Sequence, residues 1–161
     1  MEDQNVLPEE QKGSRKGCRG CLDLLYIDKK IMKEVKQRKK NIAMGWLDYR
    51  KAYDLVPHSW LKECLSMFGV AENVKDLLTN SMKEWSTMLT PCGEEIGEVK
   101  FARGIFQGDS LSPLMFVIAM IPLTLMLRKT KASYKFSSNG EQINHLMFMD
   151  DINCMRRMKV D

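Results

Sequence analysis

The sequence predicts an α+β domain, with helices in its first half and short antiparallel strands in its second. Apolar residues recur at helical spacing in several segments before Thr87, whereas short apolar runs separated by turn residues follow it. The chain has 161 residues, of which 44% are apolar, so it can bury the core of one domain.

The first half is predicted to contain a loop, three helices and one strand. Residues 1–20 are polar and glycine-containing, as in loops. Helical periodicity extends from Leu22 to about Arg38, and two further amphipathic helices are predicted at Trp60–Phe68 and Val74–Trp85. Between the first two helices, the apolar run Ile42–Leu47 indicates a buried strand.

The second half begins with two predicted strands, Thr87–Thr90 and Val99–Phe101, on either side of a Pro-Cys-Gly turn. Ser112 followed by Pro113 is typical of a helix start, with a hydroxyl N-cap and a first-turn proline. The apolar run that follows predicts a buried helix ending near Leu127, which is shorter than the ~20 residues needed to span a bilayer.

A hairpin and a pair of acids close the sequence. Asn139-Gly140 predicts a tight turn between strands at Tyr134–Phe136 and Ile143–Phe148. Asp150 and Asp151 would lie at the next turn. Two adjacent carboxylates repel each other, and a bound divalent cation is the usual compensation.

A third acid, Asp48, ends the predicted strand Ile42–Leu47. Two or three carboxylates suffice for Mg²⁺, which takes phosphate oxygens as its remaining ligands. The acids therefore indicate a metal site for phosphoryl or nucleotidyl transfer.

Three ordered blocks contain or separate these acids: LDYRKAYD (residues 47–54), RGIFQGDSLSP (103–113) and FMDD (148–151). Together with VPHSWL (56–61), they resemble the palm motifs of reverse transcriptase domains from non-LTR, LINE-type retrotransposons. The resemblance extends from about Leu7 to Met155.

The resemblance implies a polymerase palm in which an antiparallel sheet bears the catalytic acids and helices pack on one face. Residues 1 to about 41 would be partial fingers, and about 42–161 mainly palm. Relatives continue into further palm strands and a thumb, so the chain is expected to be a fragment truncated after the paired-acid hairpin, without thumb or endonuclease.

The resemblance also assigns catalytic roles. Asp48, Asp150 and Asp151 would bind two Mg²⁺ ions, for which Mn²⁺ could substitute, with the backbone carbonyl of Tyr49 as a further ligand. The implied reaction adds deoxynucleoside triphosphates to the 3′ hydroxyl of a DNA primer on an RNA template. Asp150 is expected to be a more direct ligand than Asp151.

Three residues are implied in nucleotide binding. Tyr53 would be the bulky gate beneath the sugar that excludes a 2′ hydroxyl, although an ordinary core aromatic is the alternative. Gln107 would contact nucleotide or template, and Gly108 would allow close backbone approach.

Basic residues greatly outnumber acidic ones between Lys12 and Lys51, and the net charge of the whole chain is +4. Such a cluster suits a polyanionic partner, with a solvated helix face as the alternative. By resemblance, the template and triphosphate contacts would come from a set in the fingers, namely Lys12, Arg15, Lys16 and Arg19. Arg103 could bind phosphate or be a surface charge.

The five cysteines are scattered, and no secretory signal precedes them, which favours reduced thiols in an intracellular protein. Nucleus and cytoplasm are the expected locations, with no membrane partner; oligomeric state is left open. Cys18 and Cys21 have the spacing of half a zinc site, but no second pair follows.

Two other functions compete with the reverse transcriptase. An RNA-dependent RNA polymerase shares the paired acids, but a bulky Tyr53 gate argues against it. A catalytically silent retroelement remnant, which retains only nucleic-acid binding or no function, is the alternative from another class.

Overall fold

The computed structural model describes residues 6–158. Two compact units are present among these residues, one formed by residues 6–50 with 120–158 and one by residues 51–119. The described residues form four α-helices: α1 (Cys21–Gln37), α2 (His58–Met67), α3 (Glu72–Lys83) and α4 (Ser112–Arg128). They also form seven strands: β1 (Asn41–Leu47), β2 (Ser86–Leu89), β3 (Gly97–Lys100), β4 (Tyr134–Lys135), β5 (Gln142–Ile143), β6 (His145–Phe148) and β7 (Asp151–Met158).

A three-stranded antiparallel sheet, in the order β1-β7-β6, is the centre of the first unit. One face packs on α1, whose Ile31 is fully buried against Leu146 of β6 and Met155 of β7. Tyr134 and Phe136 complete this core, with their rings in an edge-to-face contact at 5.4 Å.

The opposite face of this sheet is covered by the C-terminal half of α4. Thr124 Oγ1 donates a hydrogen bond to the sulfur of Met147 at 3.2 Å, and Asn144 donates to the carbonyl of Leu127. Because successive strand residues point to opposite faces, Leu146 and Met147 require cover on both sides. The expected α+β fold with an antiparallel sheet is therefore confirmed, and in this unit helices contact both faces of that sheet.

The expectation of a buried strand before Asp48 is also wrong. β1 spans Asn41–Leu47 as expected, but Trp46 is 70% exposed and Leu47 57%. The reason is strand order: β1 pairs with β7, and no strand among residues 6–158 pairs with its other edge.

The predicted hairpin at Asn139-Gly140 is present, and Gly140 has the left-handed φ of 76°. Its partner strand is shorter than expected, since Ile143 pairs with β4 while His145–Phe148 pairs with β7. Asn144 separates the two strands because its carbonyl accepts the Met155 N–H and its side chain turns to α4.

The second unit contains α2, α3 and the β2–β3 hairpin. Leu61, Cys64 and Leu65 of α2 are buried, as the periodicity predicts. Gly69 ends α2 at φ 67°, where it donates to Ser66, and Val70 donates to Leu65. This Schellman pattern confirms the predicted terminator.

The helix predicted from Ser112 is α4, which begins at Ser112 itself rather than after it as an N-cap. Pro113 lies in its first turn, and the stretch from Met115 to Ala119 is buried as expected. Within residues 6–158, no helix has both the length and the apolar character needed to cross a membrane.

Candidate active site

The paired acids lie at the tight turn between β6 and β7, as predicted. Phe148 is opposite Asp151 in the sheet, so Met149 and Asp150 are the two turn residues. Asp150 is half-buried, whereas Asp151 is exposed at the first position of β7.

Asp48 follows β1 directly and faces the same region. Leu47 is opposite Ile152 in the β1–β7 register, which places Asp48, directly after Leu47, and Asp151, directly before Ile152, at the same end of the sheet. Sequence positions 102 residues apart (150 − 48) are thus brought to one end of the sheet.

Asp48 and Asp151 both line a cleft of about 470 Å³ between the sheet and α1. Most of its walls are apolar and include Leu24 and Leu25 of α1 and Phe148. Carboxylates in such surroundings interact with charged ligands more strongly than they would in water.

Two more polar residues, missed by sequence reasoning, line this cleft: Asp28 of α1 and Asn153 of β7. The Oδ1 atom of each is buried and lacks a hydrogen-bond partner within the described residues. The period of two from Asp151 to Asn153 is a sequence signal for a shared face, whereas nothing local marks Asp28.

The donor set fits a hard divalent cation, which prefers carboxylate and amide oxygens. The buried, unpartnered oxygens of Asp28 and Asn153 add to this fit. The three predicted acids are not gathered into one ligand set, however. Asp150 is not part of the cleft lining, and the described residues contain no group of three His, Cys, Asp or Glu side chains close enough to hold a metal ion.

The predicted nucleotide-binding residues Tyr53, Gln107 and Gly108 all belong to the second unit. Tyr49, whose backbone carbonyl is the predicted further metal ligand, follows Asp48 in the first unit and is exposed. Tyr53 is half-buried, and its ring stacks on Phe116 with centroids 4.7 Å apart. Gln107 and Gly108 form an exposed turn, in which Gly108 has the left-handed φ of 95° that favours glycine.

Arg103 of the second unit is exposed and lines a cleft with Trp85 and Phe106. The rings of Trp85 and Phe106 lie 4.6 Å apart between centroids. A cationic side chain beside an exposed ring, Phe106, and a half-buried ring, Trp85, is an arrangement that can bind a nucleic-acid strand by phosphate contact and base stacking.

The basic residues predicted in the fingers are partly engaged within the protein. Arg15 donates to the carbonyls of Leu7 and Pro8, at 3.0 and 2.7 Å, and Arg19 forms an ion pair with Asp23. Lys16 is exposed and Lys12 is half-buried.

Gln11 lies beside the Met149–Asp150 turn and is only 2% exposed, although no local pattern marks it as buried. Glutamine in a polar loop is ordinarily solvated. Only the three-dimensional structure therefore shows that Gln11 lies at the site.

A family model and similar curated proteins indicate the same family for this chain. The sequence matches the family described as reverse transcriptase (RNA-dependent DNA polymerase) over residues 1–161. It is 30% identical over 143 residues to the Pol polyprotein of a type-1 R2 retrotransposable element from Popillia japonica, covering 88% of this chain and 20% of that protein. It is 27% identical to the Pol polyprotein of the type-2 R2DM retrotransposable element from Drosophila melanogaster, covering 83% of this chain and 12% of that protein.

Solved structures show the same fold at low identity. Telomerase from Candida tropicalis, truncated at its C-terminal domain, superposes with a TM-score of 0.64 at 16% identity, covering 93% of this chain and 30% of that one. The same telomerase in complex with a fragment of telomeric RNA superposes with a TM-score of 0.61 at 14% identity, covering 83% of this chain and 24% of that one. The chain spans about a fifth or less of the R2 polyproteins' length.

Proposed function

The chain belongs to the reverse transcriptase (RNA-dependent DNA polymerase) family, and on that premise we propose that it is the catalytic segment of a retrotransposon RNA-directed DNA polymerase. The observation that carries this proposal is that Asp48 and Asp151 line one cleft, beside the turn that contains Asp150. We assign about residues 1–41 to the fingers and about 42–161 mainly to the palm.

In this proposal, Asp48, Asp150 and Asp151 would hold two Mg²⁺ ions, with Mn²⁺ as a substitute and the Tyr49 carbonyl as a further ligand. Bound cations would neutralise the triphosphate and favour ionisation of the primer 3′ hydroxyl. The chain itself contributes fixed carboxylates at strand ends, so little reorganisation is needed during the reaction.

The partners proposed are an RNA template, a DNA primer and deoxynucleoside triphosphates. Tyr53, Gln107 and Gly108 are the proposed nucleotide-binding residues, and their exposed or half-buried positions support this role. Nucleic acid would be bound by a set of basic residues, namely Lys12, Arg15, Lys16, Arg19 and Arg103. Arg15 and Arg19 would act partly by ordering the segment that contains Lys12 and Lys16. Nucleus and cytoplasm are the proposed locations, where a retroelement integrates and is translated.

The test is primer extension on a primed RNA template with Mg²⁺, using the chain joined to the thumb of a close relative. Asp150→Asn should abolish synthesis because it keeps the side-chain shape but removes a ligand charge. Asp76→Asn, which changes an exposed aspartate of α3, is the matched control.

Equal synthesis by wild type and Asp150→Asn would refute the metal assignment. RNA binding without synthesis by the wild-type protein would instead favour the silent remnant. The unextended 161-residue chain should be weak or inactive, because positioning of the primer end contributes as much to the rate as the metals.

A further inference from the structure

The segment that contains Gln11 runs alongside β6 as a short strand-like extension of the first unit's sheet. Gln11 forms a parallel bridge with Met147. The Met147 N–H donates to the Glu10 carbonyl at 2.9 Å, and the Lys12 N–H donates to the Met147 carbonyl at 2.9 Å. The Glu10 carboxylate also accepts two hydrogen bonds from Arg128 of α4, which ties the segment to the helix behind the sheet.

From this segment the Gln11 side chain reaches the turn between β6 and β7. Its Nε2 donates to the Met149 carbonyl at 3.1 Å, and its Oε1 accepts the Met149 N–H at 2.9 Å. The same Oε1 accepts the Gly13 N–H at 2.9 Å. The carboxamide therefore satisfies both backbone polar groups of Met149, as a neighbouring strand would do.

Met149 needs such support because its backbone has a φ of 55°, the left-handed region that non-glycine residues rarely adopt. Residues in this region persist where the surroundings determine them from several sides. Asp150 follows Met149 directly, so the conformation of Met149 sets the direction in which the chain presents Asp150 and Asp151.

Gly13 contributes a second, independent constraint on the same turn. A Cβ added at Gly13 would lie 2.4 Å from the Met149 sulfur and 3.0 Å from its backbone nitrogen. The sulfur can move away, but the nitrogen belongs to the turn. A side chain at this position would therefore push Met149 while leaving the Gln11 carboxamide chemically intact.

We propose that Gln11 is a positioning residue, whose carboxamide holds Met149 in its left-handed conformation and thereby fixes the Asp150 and Asp151 carboxylates for a divalent cation. The inference rests on the proposed function in one respect only, namely that these acids bind the cation. The hydrogen bonds from Gln11 to Met149 do not depend on that function.

The first experiment replaces Gln11 by methionine, which has a similar volume but cannot form the hydrogen bonds. Mn²⁺ affinity of the 161-residue chain is measured by calorimetry, and amide hydrogen exchange is followed at Met149. We expect faster exchange at Met149 and Mn²⁺ binding weakened by about 10–100-fold, as for other partners that orient metal ligands. Gln142→Met, at an exposed glutamine of β5, is the control and should change neither quantity.

The second experiment perturbs the turn without touching Gln11. Gly13→Ala should weaken Mn²⁺ binding in the same direction, whereas Gly45→Ala should not, because a Cβ at Gly45 meets no atom within 4 Å. Met149→Gly, introduced into the Gln11→Met protein, should restore part of the lost affinity, because glycine adopts a positive φ without strain. If Gln11→Met does not fold, Gln11→Asn replaces it, since its shorter side chain cannot reach both Met149 groups.

Each result decides between positioning and a purely structural role. A lower melting temperature with unchanged Mn²⁺ affinity would overturn the proposal, as would faster exchange at Met149 with unchanged affinity. Asp150→Asn, measured in parallel, separates the two claims. If it binds Mn²⁺ as tightly as wild type, the metal assignment of the proposed function fails, whatever Gln11 does.

Discussion

His145 is fully buried in β6, where its environment selects one tautomer of the ring and disfavours the charged form. The Asn144 amide donates to the Leu127 carbonyl, so its Oδ1 is an acceptor, and His145 Nδ1 must donate the 2.6 Å hydrogen bond between them. Burial lowers the pKa of His145, and nearby Arg128 adds to this effect while Glu10 opposes it.

This lowered pKa predicts acid sensitivity. The unfolded chain binds the proton more readily than the folded chain, so stability is complete above the usual pKa of 6.5 and falls as the pH drops towards the folded value. The free energy of unfolding, measured in urea, should be lower at pH 5.5 than at pH 7.5. This difference should be smaller in His145→Gln. An unchanged pH dependence in the variant would mean that another group is responsible.

Tyr53 gives a prediction about sugar choice. If its ring is a steric gate, Tyr53→Ala should preserve deoxynucleotide incorporation but raise ribonucleotide incorporation by about 10–100-fold, in the range of other single-contact selectivities. Tyr53→Phe should keep selectivity, because the ring is retained. Primer extension by the thumb-extended protein, with ribonucleotides and deoxynucleotides in competition, measures the ratio of their incorporation. A lower melting temperature of Tyr53→Ala with unaltered selectivity would favour the core role, which its stacking on Phe116 also allows.

Helix α1 is anchored to the sheet by one side. Ile31→Ala should cost about 2–5 kcal/mol of unfolding free energy, because the residue is completely buried and its truncation leaves a cavity among apolar side chains. Leu22→Ala on the same helix should change it by less than about 0.5 kcal/mol, since Leu22 is 54% exposed. Denaturant unfolding, followed by circular dichroism, measures the unfolding free energies of the two variants. Equal effects would show that α1 is not packed as described.

The elements also show what can be read from local sequence. α1 was predictable to within a residue at each end because its periodicity and its limits are local properties. The exposure of β1 was not, because apolar composition is the same for an edge strand and a central one, and only strand order distinguishes them. The family motifs predict Asp48 and Asp151 at one site, and the period of two from Asp151 marks Asn153, whereas Asp28 and Gln11 reach the site through contacts distant in sequence.

Within the first unit, the fold divides the basic stretch that is continuous in sequence. Lys12 and Lys16 belong to the segment beside the acid turn, whereas Arg38 and Lys39 precede β1 at the end of the sheet away from Asp48. The seven residues of β1 separate the two groups by roughly 20 Å at ~3.3 Å per residue.

Binding of single-stranded RNA should therefore fall steeply with salt, because each neutralised phosphate releases counterions. Lys12→Gln with Lys16→Gln should reduce the slope of log affinity against log salt by about 1.4, at ~0.7 per phosphate contact. Lys62→Gln with Lys83→Gln, at exposed positions of α2 and α3, is the charge-matched control. Filter binding across a salt series measures the slopes. A flat response would reassign these lysines to a solvated surface.

The open edge of β1 has a consequence for the behaviour of the protein in solution. Its outward N–H and C=O groups form a row that another chain can hydrogen-bond, next to the exposed side chains of Trp46 and Leu47. We expect concentration-dependent turbidity, driven by strand addition between molecules rather than by unfolding. Ala43→Lys, at an exposed position of this edge, should suppress it, because charged side chains discourage edge-to-edge pairing. Light scattering at increasing concentration would show whether colloidal stability is limited by this single strand.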